Sequence, residues 1–170
     1  MRFLHCDAGL PGDVQRTAAV LEAAGGCDVL VNNVAIQPEA PCHVMTLEQW
    51  SRTLAVNLTS QFLFSQAAIR QMLEHGRGGA IVNLASVQGS QSQPGIPSYA
   101  ASKGGVLALT RQLAVEYGPH NIRVNAVSPG TIATPLVQRI LKERGTTEQE
   151  AGQSNCVQRI GRPEEVARVV

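Results

Sequence analysis

Three short stretches of the chain, Asp28 to Asn32, Ala80 to Leu84 and Ile122 to Val127, are rich in Val, Ile and Leu and show no polar alternation. Such runs read as strands of a parallel sheet covered on both faces. Arg2 to Cys6 is a fourth and shorter one. Between them the apolar period changes to that of helices. Asp13 to Ala24 puts Val14, Ala18 and Leu21 on one face and stops at Gly25-Gly26, Leu47 to about Glu74 is a long helix, and Tyr99 to about Tyr117 is a third. Strand and helix alternate, which predicts an α/β fold with right-handed crossovers.

Local signals refine the helices. Thr46-Leu47-Glu48-Gln49 matches a capping box, in which the Thr oxygen accepts from a free N–H and Gln49 reaches back. Trp50, Leu54, Leu58 and Phe62 form the stripe expected to be buried. Asn57 interrupts that helix. An interior Asn competes for backbone hydrogen bonds, so Asn57-Leu58-Thr59-Ser60 predicts a local distortion. After Thr134-Pro135 the pattern turns polar through Asn155, with a short helix-like piece around Leu136 to Lys142, and reads as a mobile flap. Arg162-Pro163-Glu164-Glu165 opens a last helix that runs to Val170 without a stop signal.

Composition narrows the classes. The 170 residues are 44% hydrophobic and 16% charged, which excludes a disordered chain and suits a single domain over 1–170. Lys+Arg 14 against Asp+Glu 13 gives a net charge of +1, so neither nucleic acid nor an anionic membrane is an expected partner. Cys6, Cys27, Cys42 and Cys156 make no CxxC pair and no zinc spacing. No apolar run approaches the roughly 18 residues of a membrane span. The expectation is a soluble, cytoplasmic protein with reduced thiols and no metal. His5, His43, His75 and His120 are scattered and receive no role.

In an open parallel sheet, ligands bind beyond the carboxyl ends of the strands, and here each strand runs into polar residues. They are Asp7, Asn32-Asn33, Ser86 and Ser128-Pro129-Gly130-Thr131. Any one could be an ordinary loop residue. The sharpest signal is Tyr99-Ala100-Ala101-Ser102-Lys103, where a helix sets a phenol and an ammonium four residues apart on one face. Tyr-xxx-Lys alone is more often a surface pair. Ser86 at a strand end and Asn57 in mid-helix turn it into a set.

Together these residues resemble the short-chain dehydrogenase/reductase family, in the family's order along nearly the whole chain. Asn32-Asn33-Val34-Ala35 stands where the family has Asn-Asn-Ala-Gly. Asn57, Ser86, Tyr99 and Lys103 match its catalytic tetrad. Val124-Asn125-Ala126-Val127-Ser128-Pro129-Gly130 and Thr134 match the segment beside the nicotinamide, and Arg159-Ile160-Gly161-Arg162-Pro163-Glu164-Glu165-Val166-Ala167 the stretch before the last strand. The resemblance implies a Rossmann-like, doubly wound parallel sheet and hydride transfer between NAD or NADP and a small alcohol or carbonyl substrate. It implies Tyr99 as general acid/base, with its pKa lowered by Lys103 and the nicotinamide. Ser86 would hold the reacting oxygen, Lys103 would also reach the ribose, and Asn57 would hold a relay water. Asp7, Asn33, Tyr99, Lys103, Pro129, Gly130, Ile132 and Thr134 would contact the cofactor, Asp7 at the adenine.

Two departures accompany the match. Val34 and Ala35 are larger than the family's Ala and Gly. The family's opening strands and Gly-rich turn have no counterpart, since Gly76, Gly78 and Gly79 are followed by Ile81 where a third glycine is needed. The chain therefore reads as an incomplete sheet, entered at the third strand and left before the last, from an internal start or a fragment. Very weak NAD(P) binding and little or no dehydrogenase activity are expected of it. The alternative is a catalytically silent piece that only associates, since in the family the helices carrying Asn57 and Tyr99 pack against another subunit and the full-length form is a homo-oligomer. The amides and hydroxyls of Gln88 to Gln93 suit a polyol or sugar better than a long acyl chain, or form a solvated turn.

Overall fold

A computed structural model describes residues 3–153 and 155–170. The chain divides into two compact units, 1–126 and 127–170.

The first unit begins with helix α1, Pro11–Ala23, which has Pro at its first turn and ends before Gly25 and Gly26, both at positive φ (107° and 95°). Strand β1, Val29–Asn32, comes next. Helix α2, Leu47–Leu54, starts at the predicted capping box, with Gln49 N–H donating to Thr46 Oγ1 at 3.1 Å and Thr46 N–H to Gln49 Oε1 at 3.0 Å. It widens into a π-turn over Ala55–Thr59 and continues as α3, Ser60–His75. The distortion expected at Asn57 is this π-turn. Strand β2, Gly79–Leu84, helix α4, Pro97–Tyr117, and strand β3, Ile122–Val127, complete the framework. The sheet order is β1-β2-β3, and β1 runs parallel to β2 with Val31 opposite Val82.

The core lies between this sheet and its helices: Ala68, Ile69 and Met72 from α3, Ile81 from β2, Leu113 from α4, and Ile122 and Val124 from β3. Each large apolar side chain removed from water there contributes about 1.5–3 kcal/mol. Close approach is required in places. A Cβ on Gly79 would collide with Met72 Sδ, and one on Gly105 would meet Leu58 Cδ2 at 2.7 Å.

A buried polar chain crosses the same layer. Asn32 Nδ2 donates to Ser65 Oγ (3.2 Å) and to Asn83 Oδ1 (2.9 Å), Asn83 Nδ2 donates to Thr110 Oγ1 (2.9 Å), and Thr110 Oγ1 donates to the Val106 carbonyl (2.7 Å). It ties α3, β1, β2 and α4 together. Asn32 is thus a core residue, 6% exposed, whereas Asn33 beside it is exposed in the loop.

Several expectations are corrected. Phe3 to Cys6 form no strand, and Arg2 lies outside the described residues. Trp50 and Phe62 are 36% and 43% exposed, so the stripe through them is not the buried one. The inward face carries Thr53, Val56, Asn57, Ser60, Gln61, Ser65 and Ala68, because the π-turn inserts a residue and rotates the remainder of the helix. Polar side chains occupy most of that face, which conceals it from a reading of hydrophobic period.

In the second unit, Thr134 caps helix α5, Pro135–Arg144, by accepting from Val137 N–H at 3.3 Å, and Gly145 closes it at φ 62°. Helix α6, Glu148–Gly152, starts at a second capping box, Thr147 with Glu150. The stretch read as a flap therefore contains two helices. Ile132 bridges Gly161 in parallel. Arg159 donates to both Glu165 oxygens, at 2.8 and 2.6 Å. Helix α7 spans only Pro163–Ala167 instead of running to Val170, and turns out at Arg168. Among the described residues no helix is long and apolar enough to cross a membrane, and no cluster of His, Cys, Asp or Glu could hold a metal.

Candidate active site

The carboxyl end of β2 runs through Leu84 and Ala85 into Ser86, whose hydroxyl accepts from Gln88 N–H at 3.2 Å and caps a short turn over Val87–Gly89. Ser86 is 8% exposed. The loop beyond it, Ser90 to Pro94, is exposed, and Pro97 opens α4 so that Tyr99 and Lys103 lie on its inward side.

The Ser86 side chain stands close enough to the Tyr99 phenol to favour its ionised form. Lys103 lies beneath, with Nζ 5.6 Å from the Tyr99 ring centroid and donating to the Leu84 carbonyl at 2.5 Å. Only 2% of Lys103 is exposed. Strand end and helix thus bring hydroxyl, phenol and ammonium to one place, although thirteen residues separate Ser86 from Tyr99.

Asn57 is fully buried at the π-turn. Its Oδ1 accepts from Ile36 N–H (2.8 Å), and its Nδ2 donates to the Ile36 carbonyl (2.9 Å) and to Ser102 Oγ (3.1 Å). One side chain therefore pins the loop after β1 against α4. The carbonyls that the π-turn releases need other donors, and Ser60 Oγ supplies one to Val56 at 2.6 Å.

Electrostatics differ from the simple expectation for Tyr99. Burial pushes its phenol above the ordinary value of 10.0, and only the Ser86 side chain works against that. Burial also lowers Lys103, from 10.5 to about 8. The ammonium faces the ring and the Leu84 carbonyl, so it does not pull the phenol down in this arrangement.

Asp7 stands before α1, where its carboxylate accepts from Gly9 N–H and from Arg52 and is held below the usual carboxylate range by both. In the second unit, Ile132 forms its bridge to Gly161, Thr134 serves as the α5 cap, Pro129 is half-buried and Gly130 is exposed. Sequence reasoning missed Ser102, Ile36, Arg52 and the Leu84 carbonyl. Ser102 sits inside the Tyr99–Lys103 quintet and was open to notice there. The others act through backbone groups or across long separations.

A family profile described as enoyl-(acyl carrier protein) reductase matches residues 1–170. The chain is 38% identical over 171 residues to the short chain dehydrogenase/reductase astE of Aspergillus oryzae, covering 99% of this chain and 66% of that protein. It is 41% identical over 169 residues to the inactive 2-(S)-hydroxypropyl-CoM dehydrogenase 2 of Xanthobacter autotrophicus, covering 94% and 73%. The chain belongs to the short-chain dehydrogenase/reductase family. A solved structure of a family member, 4-hydroxyisoleucine dehydrogenase complexed with NADH, superposes with a TM-score of 0.84 at 28% identity, covering 98% of this chain and 69% of that one. The chain thus spans about two thirds of the length of such short-chain dehydrogenases, and its three-stranded α/β sheet is an incomplete version of their Rossmann fold.

The donor set suits the nicotinamide-ribose half of a dinucleotide. A lysine ammonium has three N–H donors and Leu84 takes one, leaving two for a vicinal diol beside Tyr99.

Proposed function

We propose that this chain carries the proton-transfer half of an NAD(P)-dependent oxidoreductase acting on a small alcohol or carbonyl compound. The observation that carries the reading is the convergence of Ser86, Tyr99 and Lys103, a hydroxyl on a phenol above a buried ammonium. A bound nicotinamide would supply or accept the hydride. Tyr99 exchanges the proton at the substrate oxygen, and Ser86 hydrogen-bonds that oxygen and fixes its distance from the phenol. Lys103 holds the ribose hydroxyls and returns protons to Tyr99. Asn57 keeps the π-turn open so that a backbone carbonyl can hold a relay water. Asn33, Pro129, Gly130, Ile132 and Thr134 contact the remainder of the cofactor, and Asp7 reads the adenine.

The domain is a single partial Rossmann unit over 1–170. It works in the cytoplasm as a homo-oligomer when its fold is complete. Its exposed polar loop from Ser90 to Gln93 favours a hydroxylated substrate. The test is Tyr99→Phe in a chain extended to the length of its relatives. Turnover falls by about 100-fold or more while NADH affinity stays within a few-fold, because only the proton-transferring hydroxyl is deleted. Turnover within a few-fold of the parent overturns the assignment.

A further inference from the structure

A groove of about 380 Å³ runs between α1 and α3, and none of its walls comes from the elements that carry Ser86, Tyr99 and Lys103. Its floor is small and apolar, with Ala18 from α1 and Ala67 from α3, which leaves room for a methylene chain. Gln71 lines the groove from α3 at 5% exposure, and its Oε1 is buried with no hydrogen-bond partner. An orphaned buried carbonyl is costly unless a donor reaches it. The terminal torsion of Gln is broad, so the carbonyl turns into the groove with little strain.

The rim is charged. Glu22 stands on α1, Arg70 and Glu74 on α3, and among the described residues none of the three enters an ion pair. Arg70 and Glu74 are four positions apart, which puts their Cβ atoms about 5–6 Å from each other, but the cation comes first, the weaker order for such a pair. Two carboxylates and one guanidinium give the groove a net charge of −1.

We propose that this groove binds a free diamino acid, a small molecule with one carboxylate and two ammonium groups, such as lysine or ornithine. The carboxylate pairs with the planar fork of Arg70. The α-ammonium lies between Glu74 and Gln71, three positions apart on one face of α3, and gives Gln71 Oε1 its missing donor. The methylenes cross Ala67 and Ala18, and the terminal ammonium reaches Glu22 on α1. A ligand with a neutral side chain leaves Glu22 unpaired, and a simple diamine leaves Arg70 unpaired. Only the diamino acid engages all three charges.

The test titrates the 170-residue chain, labelled with nitrogen-15, with L-lysine, L-norleucine and cadaverine. L-lysine saturates one site in the millimolar range, and the side-chain amide signals of Gln71 shift with it. L-norleucine, which lacks the terminal ammonium, and cadaverine, which lacks the carboxylate, each bind about five-fold more weakly, the effect of one exposed ion pair. Glu22→Gln removes the preference over L-norleucine and keeps that over cadaverine. Arg70→Gln does the reverse. Both side chains are exposed, so the core is left intact, and loss of fold would abolish both preferences together. L-lysine that fails to saturate or leaves the Gln71 signals unmoved overturns the proposal, as does equal binding of the three probes or a preference that survives its own substitution.

Discussion

The Lys103 ammonium sits 5.6 Å from the centroid of the Tyr99 ring in a setting where burial lowers its pKa to about 8. A lysine packed beneath a phenol, with one carbonyl as its acceptor, is a poor choice for stability alone. It is a good one for proton exchange, because near neutrality the group lies within about one pH unit of losing its proton.

Lys103→Met should therefore stabilise the chain at pH 7. Unfolded lysine keeps its proton up to about 10.5, whereas folded Lys103 loses it near 8. Below pH 8 both states are protonated and the fold carries the full desolvation cost. Between 8 and 10.5 the unfolded state binds the extra proton, so stability of the parent rises with pH. The Met variant lacks that rise and is more stable at pH 7 by about 1–3 kcal/mol, an advantage that disappears by about pH 10.5. Urea midpoints at pH 7, 9 and 10.5 check this. A variant less stable than the parent at pH 7 would contradict it.

Asn57→Ala should release the loop after β1. Both backbone groups of Ile36 depend on the Asn57 amide. Losing one buried partner costs about 1–3 kcal/mol, so exchange of the Ile36 N–H should accelerate by about ten-fold or more. Amides of β3 serve as the internal reference. Unchanged protection at Ile36 would mean that the loop is held by other contacts.

The α5 helix offers a contrast between formed and stable structure. Its caps are good, with Thr134 at one end and Gly145 at the other, yet none of its residues is buried. A ten-residue helix whose Val137, Ile140 and Leu141 are only half-buried is marginal in water. Its amides should exchange much faster than those of Ile122 to Val127 in the same sample. Equal protection would show that α5 has a packed face.

Most of the framework was legible because it rests on local rules. The strands at Val29, Gly79 and Ile122, the Thr46 cap and the Gly25 stop arise from short-range pattern. The π-turn was legible for a physical reason too, since Asn57 is a poor residue for a regular helix interior. Other features depend on what lies across the fold. The inward face of α3 is lined by Ser60, Gln61 and Ser65, and the partner of Ser65 is Asn32, 33 residues away. No periodicity reveals such a pairing. Asn32 and Asn33 are neighbours in one motif, yet the strand pleat turns one into the core and leaves the other exposed. The meeting of Ser86 with Tyr99 and Lys103 was visible only as spacing, and the Leu84 carbonyl that holds the ammonium has no sequence signature.

The central claim is that Tyr99 transfers the proton that accompanies hydride exchange. Incubating a chain extended to the length of its relatives with millimolar NADH or NADPH deuterated at the transferable position, and with a panel of small hydroxyketones and aldoses, reads that claim by mass spectrometry of the alcohol products. Slow transfer of one deuterium to the carbinol carbon is predicted, reduced about 100-fold or more in Tyr99→Phe. Label that appears equally in parent and Tyr99→Phe, or in neither, would contradict the account.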